Sequence, residues 1–379
     1  MSLFFRRIAN IDWVLFLAVI PLLGAGLVTM KGLSPQVGGL LGESGDYYFT
    51  RQIIWIFLAF AVFFACSFID WRFLKSGGLL LALLVANLAL LIFLLVAGIA
   101  TRGSSRWIHF ASFSISPSDP VKLLLILILA KYFSRRHIEI ANIKHILVSL
   151  TYAVVPATLV FFQPDFGSSI IIGAIWLGMV LVSGISKKHL LLIILMAILI
   201  FAVSWFFILK PYQKNRILTF LNPLSDPRGA GYNALQSMIA VGSGQIWGKG
   251  IGYGTQSRLE FLPEHQTDFI FAAFAEEWGF IGVLIIFAFL GIVAWRILIN
   301  AFNGQSNFER LFGIGMAIFI VIQSSIHIGM NIGLLPITGI PLPFMSYGGS
   351  SLLTVFAGLG ILMGMRRYSI NIPEDPHLI

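Results

Sequence analysis

Apolar residues recur in long runs from one end of the chain to the other, at about 12–30, 52–69, 78–99, 119–134, 146–162, 167–184, 188–208, 268–295, 308–332 and 350–366. Each run is close to the ~20 residues a helix needs to cross a bilayer, and none alternates with the period of two that a half-buried strand would show. The pattern predicts an all-α polytopic membrane protein of about ten transmembrane helices in a single domain, 1–379. Three intervening segments, 31–51, 100–118 and 209–267, are longer than a simple connection requires. The last forms a large loop between the seventh and eighth helices. It opens on the turn-rich Asn222-Pro223-Leu224-Ser225-Asp226-Pro227, continues into an amphipathic helix near Tyr232 to Val241, and ends in the glycine-rich GSGQIWGKGIGYGTQS.

Composition removes the soluble alternative. Hydrophobic residues make up 58%, charged residues 11%, and the mean hydropathy is +0.91, whereas a soluble domain has ~25% charged residues. The net charge of +9 does not indicate nucleic-acid binding, because the basic residues are scattered between apolar runs and form no patch. They fit membrane topology. With the N-terminus in the cytoplasm, the inner segments collect Arg6, Arg7, Arg72, Lys75, Lys131, Arg135, Arg136, Lys144, Lys187, Lys188, Arg296, Arg310, Arg366 and Arg367, which is 14 of the 25 Lys and Arg. Both termini are therefore expected in the cytoplasm and the large loop outside. The stretch from Trp13 to Met30 is too long for a signal-peptide core and has no small-residue cleavage site, so it is expected to remain as the first span.

Candidate chemistry starts from ionisable residues that a membrane does not accept without a partner or a task. Asp119 and Lys122 head the fourth run, which covers only ~24 Å against a ~30 Å hydrocarbon core. Lys122 is therefore expected to face a polar crevice or to snorkel outward. Asp165 lies in the QPDFGSS turn. Asp268 begins the eighth run, with Glu276 and Glu277 two turns deeper; at 100° per residue the three carboxylates cannot share one wall. Two readings stand for Asp268, a helix-capping acid or a group placed to meet a substrate. Glu276 and Glu277 read better as structural pairs. The Gly248-Lys249-Gly250 sequence lacks the Ser or Thr of a phosphate loop, so tight turns are expected there, with Lys249 as an anion contact. Cys66 is the one cysteine, and the seven histidines show no metal-ligand spacing.

The stretch NIGLLPITGIPLPFMSYGGSS, Asn331 to Ser351, resembles the C-terminal signature of the SEDS family of shape, elongation, division and sporulation proteins. GSSRWIHF, QPDFGSS, NPLSDPRGAGYNALQS and GTQSRLEFLPEHQTDFIFAAFAEEWG extend the likeness over nearly the whole chain, and the wording is closer to the elongation branch than to the division branch. Three features depart from the family pattern, one being that Phe113-Ser114-Ile115-Ser116-Pro117 lacks the Arg and Gln found in some relatives. Asp119 stands where the family commonly has glutamate, and His327 stands where an asparagine is expected.

The resemblance implies a ten-helix fold and an inverting peptidoglycan glycosyltransferase that polymerises lipid II during cell elongation. Its place would be the outer face of the bacterial cytoplasmic (inner) membrane, with Asp268 as the catalytic carboxylate. In such a reaction a sugar 4-hydroxyl needs a base, while the lipid pyrophosphate leaves once its charge is neutralised. Asp268 is the expected base. Lys122 beside Asp119, with Arg51, Arg102, Arg106, Arg216, Lys249 and Arg258, are the expected diphosphate contacts. Gln236, Ser237 and Thr267 are candidates for sugar hydroxyls or amides. A divalent cation, Mg2+ or Mn2+, bridging Asp268 and the diphosphate suits magnesium's preference for few carboxylates plus phosphates; no organic cofactor is implied. The implied partners are lipid II and the nascent lipid-linked glycan, membrane lipid, a class B penicillin-binding protein transpeptidase and the Mre-type elongation machinery, and no nucleic acid. The competing reading is a lipid II flippase, in which the same carboxylates would be relays; the lack of an internal repeat weakens it.

Overall fold

In the computed structural model, described for residues 11–32, 44–75, 78–97, 107–110, 113–135, 143–225, 229–259, 261–262 and 264–370, every one of the expected spans coincides with a helix. In chain order these are α1 (Trp13–Gly32), α2 (Ser44–Phe68), α3 (Leu79–Ala97), α4 (Ser118–Ser134), α5 (Ile143–Phe162), α6 (Phe166–Val182) and α7 (Lys187–Phe207). The large loop follows as α8 (Pro211–Leu221), α9 (Ala230–Ser243) and α10 (Thr255–Arg258), and then come α11 (Ile270–Phe302), α12 (Asn307–Asn331) and α13 (Gly349–Ile370). A three-residue hairpin, β1 (Ile108–Phe110) with β2 (Phe113–Ile115), pairs antiparallel ahead of α4. Among the described residues eight helices are long and apolar enough to cross a membrane. The other two, α4 and α6, have 17 residues each and reach only ~25 Å.

Length alone does not say which helices lie at the centre. Packing does: α13 has 83% of its apolar window buried and α12 61%, while α7, with a mean hydropathy of 3.0, has none. A helix apolar all round with no buried residue needs lipid on every side. The centre is α12 and α13 with α2, α4, α6 and α11 around them. Gly349, Gly360 and Gly364 of α13 leave no room for a Cβ against α2 and the Trp71 turn, which is how the two backbones approach so closely.

One end of the bundle is closed by charge. Asp12, 2% exposed, accepts from Arg296 Nε at 2.9 Å, Asn300 Nδ2 at 2.7 Å and the Leu15 amide at 3.2 Å, with Arg366 at 3.6 Å. The cluster ties α1, α11 and α13 together. Burial pushes the Asp12 carboxyl up, but the bonds from Asn300, Arg296 and Leu15 outweigh it and hold the group below the usual carboxylate range. At the same end Lys75 pairs with Glu309 at 2.7 Å.

The large loop holds more helix than the sequence pattern predicts. The expected amphipathic helix is α9, but α8 lies where only loop was expected, started by Pro211 at its first position and by Lys210 N–H donating to Gln213 Oε1 at 2.9 Å.

Candidate active site

The end opposite Asp12 is built around an interruption of α11. Gly279 has φ +65° inside that helix, and a break leaves main-chain groups on both sides without helical partners. The glycine-rich loop supplies them. Lys249 N–H and Gly250 N–H donate to Glu276 O and Glu277 O, both at 3.0 Å, while Phe280 N–H and Ile281 N–H donate to Gln245 O at 2.9 Å and Ile246 O at 3.2 Å. Gly248 and Gly279 face each other with no room for a Cβ on either.

Side chains complete the clasp. Glu276, fully buried, accepts from Lys249 Nζ at 2.7 Å, Thr255 Oγ1 at 3.1 Å and Gln256 N–H at 3.1 Å. Glu277 accepts from Gly252 N–H at 2.9 Å and lies against Gly32, the last residue of α1. The Glu277 carboxylate thus stands at the end of α1, because 270–278 runs as a separate buried helical segment before the break.

That segment leads back to Asp268, half-buried in the turn before α11. Asp268 N–H donates to Glu264 O at 3.1 Å, and Asn331 Nδ2 donates to Asp268 O at 3.1 Å. Across from it runs the C-terminal signature. Ser346 Oγ donates to Thr267 O at 2.8 Å, Tyr347 N–H to Gln266 O at 2.9 Å, and Gln52 Nε2 to Ser346 O at 3.2 Å. Arg51 lies in α2 beside that contact, with its guanidinium 4.0 Å from the Tyr47 ring centre.

Behind the signature is a chain of buried hydroxyls. Ser350 and Ser116 exchange bonds at 3.0 and 3.2 Å, Ser116 and Ser118 lie 2.8 Å apart, and Ser118 Oγ donates to Asp165 Oδ2 at 3.3 Å. Asp165 also caps α6 through the Ser168 N–H at 3.1 Å. The chain therefore joins the signature, the QPDFGSS turn and the start of α4. One turn along α4, Lys122 is 1% exposed and pairs with Asp119 at 2.9 Å, in a buried polar setting and without snorkelling. Asp119 is the one hydrogen-bond partner the described residues give Lys122.

The remaining candidates separate by contact. Lys249 is bound to Glu276 and, at 2.8 Å, to Thr255, so its charge is met within the protein. Ser237 is corrected: it has no exposed surface and donates to Asn331 O at 2.8 Å, which makes it an internal link and leaves no hydroxyl for a sugar. Gln236 is partly buried with Oε1 unpartnered. Thr267 is bound to Glu264 O at 3.2 Å. Arg102, Arg106 and the side chain of Arg216 lie outside the described residues. The sequence reading missed Asn331 as the residue that holds Asp268; its place at the head of the signature was the available signal.

Among the described residues no three His, Cys, Asp or Glu side chains converge on one point. The described residues thus build no cage for a resident metal, and Asp268 is the carboxylate that would hold an ion shared with a substrate's phosphates. A lipid-side feature accompanies the polar one: an apolar cleft of about 220 Å³ between α1 and α11, lined by Pro21, Gly24, Val28, Trp278, Gly282 and Phe289 among others.

The polar end, the clasp and the spans all fall within residues 13–371, which match the sequence model of the FtsW, RodA and SpoVE family, described as a cell cycle protein. The chain belongs to this family. It is 38% identical over 281 residues to the peptidoglycan glycosyltransferase MrdB of Escherichia coli (strain K12), covering 73% of this chain and 76% of that one. It is 36% identical over 360 residues to the probable peptidoglycan glycosyltransferase FtsW of Wigglesworthia glossinidia brevipalpis, covering 93% and 92%. The fold matches a chain of a peptidoglycan synthase complex, solved to describe how polymerization and crosslinking are coordinated, with a TM-score of 0.80 at 29% identity over 96% of this chain and 99% of that chain. It also matches the rod shape determining protein RodA of Thermus thermophilus, with a TM-score of 0.69 at 26% identity over 96% and 98%. Within the FtsW, RodA and SpoVE family the chain is RodA-like, as its motif wording implies.

Proposed function

We propose that this protein is a peptidoglycan glycosyltransferase that polymerises lipid II at the outer face of the bacterial cytoplasmic membrane during cell elongation, with Asp268 as general base. The observation that carries the reading is the half-buried Asp268 carboxylate, fixed through its main chain by Glu264 and Asn331 at the polar end of a membrane-spanning bundle. The glycosyltransferase names of relatives that align along most of the chain support the transferase over the flippase.

Asp268 takes the proton of the acceptor 4-hydroxyl as that oxygen attacks the anomeric carbon, and the bond to the lipid diphosphate breaks with inversion. Lys122, whose ammonium has donors beyond its bond to Asp119, and Arg51 neutralise the diphosphate, together with Arg106 and Arg216. Asp268 would hold a Mg2+ or Mn2+ ion, which would supply positive charge to the leaving diphosphate. The cleft between α1 and α11 takes a lipid tail, and the excess of Lys and Arg at the Asp12 end supports a cytoplasmic position for that end. A class B penicillin-binding protein supplies crosslinking, in keeping with the synthase complex whose chain shares this fold.

The test uses purified protein with its transpeptidase partner, fluorescent lipid II and an inhibitor of class A polymerases. A glycan ladder that disappears in Asp268→Asn is the expected result. An active assay with no ladder from wild type would overturn the polymerase reading and make lipid II movement across proteoliposomes the next question.

A further inference from the structure

One face of α12 carries Gln323, His327 and Asn331, each fully buried. Four-residue spacing stacks them along a single stripe of the helix. Three amide or imidazole groups in an apolar interior are costly unless their donors are matched, and each is matched by a main-chain carbonyl outside α12. Gln323 Nε2 donates to Pro341 O at 2.8 Å, His327 Nδ1 to Ile340 O at 2.6 Å, and Asn331 Nδ2 to Asp268 O at 3.1 Å. A carbonyl only accepts, so His327 carries its proton on Nδ1.

These carbonyls are not arbitrary ones. One belongs to Asp268, and the other two follow Gly339, which lies against the Asp268 carboxylate. A Cβ built on Gly339 would sit 3.3 Å from Asp268 Oδ2, and Gly339 has φ +69°, a conformation that glycine adopts at little cost. Asp268 and the wall opposite it therefore hang from one rigid helix, with the bare Cα of Gly339 packed close beside Oδ2, where even an added methyl would meet it at 3.3 Å. Gln323 also donates to Ser351 Oγ at 3.3 Å, which fixes the same wall to α13.

We infer that Gln323, His327 and Asn331 are a positioning ladder that sets the Asp268 carboxylate against the backbone at Gly339, and thereby its aim at the acceptor hydroxyl. The inference rests on Asp268 being the base. His327 touches no reacting atom and acts through Ile340 and Gly339, as a positioning residue. A misplacement of about 1 Å between base and acceptor is enough to cost ~100-fold in rate, and loss of the 2.6 Å bond at Ile340 is a displacement of that order.

The test compares the full-length protein, with its partner, as wild type, His327→Leu, His327→Asn, Gly339→Ala and Asp268→Asn, by steady-state kinetics on lipid II with the unfolding temperature of each. Asn places its Nδ2 where histidine has Nδ1, so His327→Asn keeps the donor and His327→Leu removes it. The expected result is a kcat lower by ~10- to 100-fold in His327→Leu with KM within about twofold, and recovery of most of that loss in His327→Asn. Gly339→Ala, whose methyl would press on the Asp268 carboxylate at 3.3 Å from a backbone at φ +69°, is expected to lose ~100-fold with α12 untouched, and it keeps the test alive if His327→Leu does not fold. Wild-type kcat in folded His327→Leu and Gly339→Ala, beside an inactive Asp268→Asn, overturns this inference alone. Equal losses in His327→Leu and His327→Asn that follow the folded fraction overturn it in favour of a packing role. An active Asp268→Asn overturns the reading beneath it.

Discussion

At one end of the bundle Asp12, 2% exposed, is met by Arg296, Asn300, Arg366 and the Leu15 amide. At the other end Lys122, 1% exposed, has Asp119 alone among the described residues. Both carry buried charge, and the difference lies in how many partners meet it. The Asp12 carboxylate, with four groups around it, holds α1, α11 and α13 in register and has little capacity left for a ligand. An undersatisfied charge is costly in the resting protein and is relieved when a ligand supplies the missing partners, which is what a binding site for an anionic diphosphate requires. The clasp on Glu276 belongs with the first kind although it lies at the second end, because every bond it makes runs within the chain.

Substitutions can break or sharpen that contrast. The largest effect is expected from Asp268→Asn, a fall in lipid II polymerisation of at least ~100-fold with an unchanged unfolding temperature, since a general base contributes that much to rate and little to the fold. Asp12→Ala should do the reverse. It leaves Arg296 and Arg366 without their carboxylate and is expected to destabilise by about 3 kcal/mol, read as a lower unfolding temperature in detergent, with activity per folded molecule unchanged.

The same carboxylate gives a pH signature. Its folded pKa lies below the unfolded value of ~3.9, so its contribution is fully present above that pH and is lost as pH falls through the folded pKa. Thermal unfolding followed from pH 6 downward should show this loss in wild type and a flatter profile in Asp12→Asn.

Glu276→Gln comes next. It weakens charge-assisted bonds to Lys249, Thr255 and Gln256 and is expected to cost ~2 kcal/mol, seen as faster hydrogen exchange confined to 249–257. The smallest effect is expected from Gly24→Phe, which fills the cleft between α1 and α11 at a position where an added Cβ meets nothing within 4 Å. KM for long-chain lipid II should rise by about threefold to tenfold, with a short-chain analogue unaffected. Equal KM changes for both would remove the lipid tail from that cleft.

The apolar runs marked all the spans because lipid as solvent demands a continuous stretch of a fixed length, a one-dimensional property that hydropathy reads directly. The motifs around Asp165, Asp268 and the C-terminal signature marked the polar end for the same reason, since ionisable and turn-forming residues stand out against an apolar background. Helix α8 was legible in principle, from Pro211 at a helix start.

Other features had no such signal. Nothing local shows that Gly279 breaks α11, that the loop at Gly248 fills the break, or that Glu277 therefore sits at the end of α1. Ser237 and Gln236 are adjacent in one amphipathic helix, and only packing against Asn331 makes the first an internal link. Sequence alone determined which segments form the long apolar helices and which residues could carry charge chemistry. The tertiary structure decided which charges are already matched and which are left for a ligand, because hydrogen-bond satisfaction depends on partners far apart in the chain.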